Sequence, residues 1–215
     1  MTEIEWECGT DPTPMLQFVR GKASDRKLRL FAAAAFGRLA ALLPDPRQRR
    51  GIEALELWAE GTVTLDACRG VASGVRHAIP PDEWSPGSPP PTIHSHYTAL
   101  MLYREFRSSS IAVHAVHAAD GLADGAEERH EQARLMRCIF GNPFRSRAVD
   151  ARWLGPAVVS LARTIYEERA FDRLPILAEV LEATGCEDSE LFDHCRGGGP
   201  HVRGCWAIDA VLGKT

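Results

Sequence analysis

The residues whose types and spacing could do chemistry concentrate in one stretch, CEDSELFDHCRGGGPHVRGC, which runs from Cys186 to Cys205 and holds three cysteines and two histidines. Eight residues separate Cys186 from Cys195, five separate Cys195 from His201, and three separate His201 from Cys205. Zinc takes thiolate and imidazole ligands in tetrahedral sets. The Gly197-Gly198-Gly199-Pro200 loop could let such a set close around an ion. Cys186, Cys195, His201 and Cys205 are therefore the candidate metal ligands, with zinc as the candidate cofactor. The stretch lacks paired C-x-x-C knuckles, and a structural reading competes. In it Cys186 ends a helix, Cys195 and Cys205 are core thiols, and His194 and His201 are polar groups near loop ends. That reading is the default for free cysteine, which is among the most buried residue types.

Two further groups of residues could carry function. His114 and His117 lie three apart and would share a helix face, with His94 and His96 upstream and Asp120, Glu127, His130 and Glu131 downstream as further donors. A metal hydrolase in a helical bundle would need such an array with an open water position, but there is no H-E-x-x-H, and the alanine-rich context suits an ordinary helix face. Between Arg20 and Arg50 nine basic residues (Arg20, Lys22, Arg26, Lys27, Arg29, Arg38, Arg47, Arg49 and Arg50) stand against Asp25 and Asp45, a local charge of +7. Such a region could meet nucleic-acid phosphates. However, Arg26, Lys27 and Arg29 point different ways around a helix and few aromatics interleave for base stacking. A solvated face or pairing with the acidic C-terminal half is the preferred reading, so nucleic acid is a possible partner but not the favoured one. The sequence contains no G-x-S-x-G, papain-type cysteine context or Walker loop. Ser108-Ser109-Ser110 reads as helix capping, and the adjacent Glu167 and Glu168 face apart on a helix.

The elements that must position these residues read as helices throughout. Thr13-Pro14 predicts an N-cap followed by proline in the first turn, and Ser24 caps the clearest helix, about 25 to 43, with Leu28, Phe31, Ala32, Ala35, Leu39 and Leu42 on one face. Asp45-Pro46 opens a helix over about 46 to 60, and Thr64 one over about 65 to 78. IPPDEWSPGSPPPT, Ile79 to Thr92, is too rich in proline for helix or central strand and reads as a loop or linker. Beyond it, helices are predicted over about 93 to 107, 109 to 119, 126 to 140, 155 to 169 and 173 to 184, with short pieces at 188 to 195 and 203 to 212. No β-alternation or internal repeat interrupts them. The expectation is an all-α bundle of short antiparallel helices forming one domain, 1-215, with possible sub-halves 1-78 and 93-215 joined by linker 79-92.

Composition sets broader bounds. With 45% apolar and 25% charged residues over 215 positions, the chain suits a globular domain, and a net charge of -4 argues against a surface built wholly for polyanions. No apolar run approaches the roughly 18 residues of a membrane span, and the acidic N-terminus does not read as a signal peptide. The expected location is cytoplasmic, where six cysteines would not form a disulfide framework.

In MTEIEWECGTDPTPMLQFVRGKASDRKLRLFAAAAFGRL, FGNPFR, IYEERAFDRLPILAEVLEATGC and DHCRGGGPHVRGCW the chain resembles a large group of uncharacterised planctomycete proteins. The resemblance covers both ends of the chain, not the middle from about 60 to 125, and implies no activity. Members of the group often carry cysteines in the helix that here reads Phe31-Ala32-Ala33-Ala34-Ala35-Phe36. Taken together, the sequence leads to a non-catalytic helical interaction or scaffold module with an unidentified protein partner. The first alternative is a zinc-binding domain or metal-dependent enzyme, and the second is nucleic-acid binding through Arg20 to Arg50.

Overall fold

A computed structural model describes residues 1-42, 46-76, 107-120, 122, 124-145 and 149-215. The proline-rich stretch 79-92, all but the last residue of the helix expected over about 93 to 107, with His94 and His96, and the Asp45 cap lie outside the described residues. Eleven α-helices and no strand are found among the described residues, in agreement with an all-α bundle.

The first helix, α1 (Glu3–Cys8), has no counterpart in the helix pattern read above. It is set by a reciprocal cap in which the Glu5 amide donates to Thr2 Oγ1 and the Thr2 amide to Glu5 Oε2. In α2 (Pro12–Val19) the cap is Asp11, which accepts from the Thr13 amide at 2.8 Å, so the helix begins two residues before the Thr13-Pro14 signal. Pro12 takes the first-turn place where a missing N–H costs nothing.

Ser24 caps α3 (Asp25–Arg38), accepting from the Lys27 amide. This helix ends earlier than its apolar pattern, which continues into a 3₁₀ turn, Ala40–Leu42. Its Phe31, Ala32, Ala35 and Phe36 are fully enclosed. Small Ala residues beside large Phe residues let neighbours approach on several sides, and α3 packs against α4 (Pro46–Ala59), α6 (Ser108–His117) and α7 (Gly125–Phe140). Helix α5 (Leu65–Arg76) packs on α4, and α2 lies across α6 and α7.

The C-terminal part is built from α8 (Pro156–Glu168), α9 (Leu174–Ala183), α10 (Ser189–Arg196) and α11 (Trp206–Leu212). Pro175 is accommodated in the first turn of α9. Asp188 caps α10 by accepting from the Leu191 amide at 3.0 Å.

The apolar interior forms two clusters. One joins Trp6, Phe31, Phe36, Leu55 and Ile111 to Met136 and Phe140. The other joins Cys138 to Ile165, Leu177, Leu191, Cys205 and Ile208. The clusters meet at the end of α7, around Cys138 to Phe140, and at Val202, which packs against both. The division thus falls on a helix, and not at the proline-rich stretch: α6 and α7, which follow that stretch, share the first cluster with α3. A short helix such as α6 buries its face only against an existing partner, and α3 supplies it.

Candidate metal centre

Helix α7 brings Cys138 to the seam between the two apolar clusters, one turn before its end at Gly141. From the other side come His194 on α10, His201 in the loop after it, and Cys205, the residue that caps α11. One ligand atom from each of these four side chains lies within 4.8 Å of every other. His194 Nε2 is 3.2 Å from Cys205 Sγ, and His201 Nδ1 is 3.9 Å from Cys138 Sγ. The two imidazoles meet edge to face with centroids 4.9 Å apart, and the Trp206 ring covers His194.

The local fold explains the convergence. The Cys205 amide donates to Val202 O at 3.0 Å, a tight turn that returns the chain to His194 immediately before α11 begins. His201 is held by its far nitrogen, as Nε2–H donates to Gly197 O at 3.1 Å, which leaves Nδ1 facing the sulfurs. The sulfurs are enclosed, whereas the histidines are half-buried and border a cleft of about 190 Å³ lined also by Arg134, Arg137 and Asp193.

Charge in the cluster is unevenly shared. Burial opposes ionisation of Cys205, but hydrogen bonds from Cys138, His194 and His201 outweigh it and hold this thiol well below its ordinary value. The hydrogen bond to Cys205, together with burial, keeps Cys138 well above its own. Burial lowers His201, yet Cys205 and Gly197 O reverse the direction and raise it. The hydrogen bonds that favour a thiolate at Cys205 thus come from the other three side chains of the cluster, and metal ligands of these types must shed their protons to bind.

Two thiols and two imidazoles are ligand types that zinc takes, so the cluster could hold a metal ion. A tetrahedral zinc with bonds of about 2.0–2.3 Å has ligand atoms roughly 3.3–3.8 Å apart; the 3.2 and 3.9 Å separations lie close to that range, and the four-donor set as a whole is bounded at 4.8 Å, so a bound ion would draw it together.

The ligands expected from sequence divide. His201 and Cys205 belong to the cluster, whereas Cys186 and Cys195 do not, and Cys138 and His194 stand in their places. Cys195 follows His194 on α10, and one helical step of about 100° turns its side chain away into the second apolar cluster. Fully enclosed there, its thiol is pushed up to about 12 by burial. Cys186 lies beyond the left-handed Gly185 that ends α9, and burial raises it too. Cys195 is thus a core thiol, and Cys186 is buried just past the helix end, two residues beyond the Thr184 cap. Cys138 lies 56 positions before His194 and no local spacing links the two, whereas His194 falls within the Cys186 to Cys205 stretch itself.

The other candidates are placed differently. His117 Nδ1 pairs with Asp120 at 2.8 Å, and Asp120 in turn accepts from Arg129. His114 and His117 join no cluster of three or more converging metal donors among the described residues. In the basic region, Arg26 bonds Glu60, Asp209 and Tyr166, and Lys27 bonds Asp209. Arg29 reaches Asp25 and Ser108 and lies over the Trp58 ring, while Arg38 meets Glu128 and Glu131. These four cations are committed to partners within the chain.

No family model, curated protein or solved structure matches the chain. No helix among the described residues is long and apolar enough to cross a membrane. What fold and site define together is an all-α bundle with a two-cysteine, two-histidine cluster at the seam of its two apolar clusters.

Proposed function

We propose that this chain is a helical interaction module whose C-terminal part is fastened by one structural zinc ion held by Cys138, His194, His201 and Cys205. The observation that carries the reading is the convergence of four soft or borderline donors from α7, α10, the following loop and α11 within 4.8 Å. Four protein ligands fill a tetrahedral coordination shell and leave no position for water, which favours a structural over a catalytic role. The ion would join α7 to the two C-terminal helices at the seam, so that the helical surface can be presented to a protein partner as one rigid unit. A reducing, cytoplasmic setting agrees with the six unpaired cysteines. The kinship with the planctomycete group is part of this proposal.

Metal analysis of the purified chain after dialysis tests it. The expected result is about one equivalent of zinc, lost in Cys138→Ser and Cys205→Ser but kept in Cys186→Ser and Cys195→Ser. Cys195→Ser should still lose about 1–3 kcal/mol of stability, because it places a hydroxyl in an apolar site. A metal-free wild-type chain, or zinc loss in Cys186→Ser matching that in Cys138→Ser, would overturn the assignment.

A further inference from the structure

Lys27 stands on α3, far in sequence from every proposed ligand, yet its ammonium ends at the metal centre's backbone. Its Nζ donates to Ile139 O at 3.0 Å, to Gly204 O at 2.7 Å and to Asp209 at 2.5 Å. Ile139 follows Cys138 directly, Gly204 directly precedes Cys205, and Asp209 lies one helical turn beyond Cys205. An ammonium has three protons, and the three acceptors account for all of them. The Ile139 carbonyl is in the last turn of α7, where helix carbonyls have no intrahelical donor and a cation is favourable. Gly204 has φ +86°, and a Cβ there would stand 2.9 Å from Leu30 Cδ1, one turn along α3 from Lys27. Helix α3 therefore meets this turn through a side chain that grips it and a glycine that lets it come close.

We infer that Lys27 is the positioning residue of the zinc site: it fixes the backbone on which both thiolates are carried, and so couples metal binding to the docking of α3. The inference rests on the zinc reading above. Lys27 touches neither sulfur through a hydrogen bond but sets the separation of the chains that carry them, as outer partners of metal ligands do. Arg26 strengthens the arrangement by holding Asp209 from the same turn of α3 at 2.7 Å. The coupling is reciprocal, since whatever α3 docking contributes to metal affinity, metal contributes to α3 docking.

The test is competition for zinc between the 215-residue protein and a chromophoric chelator, with cobalt(II) absorption as a report on thiolate ligation. Lys27→Met keeps the length of the side chain and removes its donors. Its expected effect is a loss of zinc affinity of about 10–100-fold with one equivalent still bound at saturation, and an altered cobalt(II) spectrum. Leu55→Ala, in the first apolar cluster, serves as the control: it lowers stability without removing a bond to Ile139 O or Gly204 O, and is expected to weaken zinc binding far less than Lys27→Met and to leave the cobalt(II) spectrum unchanged. Wild-type affinity in Lys27→Met, or an equal loss in Leu55→Ala, would overturn the positioning role. If Lys27→Met does not fold, Lys27→Arg keeps the charge but presents a planar fork that cannot meet the same three acceptors. Several-fold weaker zinc binding by this variant supports the inference, and wild-type binding overturns it. Failure of the wild-type chain to bind zinc or cobalt(II) would instead strike the zinc reading itself.

Discussion

Gly204 shows how much one residue can decide at the proposed metal centre. Its backbone is in the left-handed region that other residues enter at a cost of roughly 1–2 kcal/mol, and the space where a Cβ would go is taken by Leu30. Gly204→Ala is therefore expected to cost about 2–4 kcal/mol, strain and overpacking combined. It should also weaken zinc binding, because relief of the clash must move the peptide that joins Gly204 to Cys205. Chemical denaturation with and without zinc would measure both parts. Stability and zinc affinity equal to those of wild type would contradict this account. Neither effect could be anticipated from sequence, since Gly204 there is one of 18 glycines and nothing local names Leu30 as its neighbour.

At the scale of elements, the first turn of α3 is tied to α4, α8 and α11 by a charged network. Glu60 receives Tyr166 Oη, Arg26 Nη2 at 2.9 Å and Lys214 Nζ at 2.9 Å, while its side chain is only 8% exposed. Burial pushes the Glu60 carboxyl up, but the bonds from Tyr166 and Lys214 and the charge of Arg26 outweigh it and hold the carboxyl below its usual range. The folded form thus binds this proton less readily than the unfolded chain. Its contribution to stability is present above the unfolded carboxyl value of about 4.3 and is lost as pH falls through the lower folded value. The wild-type unfolding midpoint should accordingly drop as pH is lowered from about 5 to 3. In Glu60→Gln part of that dependence should vanish, with a loss of about 1.5–3 kcal/mol at neutral pH from the missing charged bonds. Thermal melts of both proteins across this range measure the difference, and parallel pH profiles would contradict it. The same network explains why the basic run of α3 reads ambiguously. Helical periodicity shows that Arg26, Lys27 and Arg29 diverge around the axis, but Glu60 and Asp209, which receive Arg26 and, in the case of Asp209, Lys27 as well, lie 34 and 183 residues beyond Arg26.

For the whole molecule, the Cys138–His194–His201–Cys205 cluster sits where two apolar clusters meet, so a metal bound as proposed should be felt on both sides of the seam. Chelation of zinc is expected to lower the thermal midpoint and to speed amide exchange from His194 to Trp206 and in the last turn of α7, with the interior of α3 the slowest to change. Zinc in excess, at about 100 times its dissociation constant, should restore about 2.7 kcal/mol. Hydrogen exchange with and without chelator makes the comparison directly. Uniform acceleration across the chain, or none, would show that the centre does not act at the seam.

The sequence by itself determined that the chain is helical, because apolar residues three and four apart, with Ser24 and Thr64 as caps or helix starts and Pro175 in a first turn, are local facts acting within a turn or two. Even α1, left out of the helix pattern, had its signal in the Thr2 and Glu5 pair. The same locality made the stretch from Cys186 to Cys205 conspicuous and yielded His201 and Cys205. Tertiary structure decided which other donors join them. Helical rotation sends Cys195 inward while His194 faces the cluster, and packing of α7 against the C-terminal helices delivers Cys138 across 56 residues. Lys27 became legible only when α3 was placed on the turn at Gly204. A metal centre is defined by distances of a few ångströms between side chains, and sequence spacing constrains such distances only within a helix or a short loop.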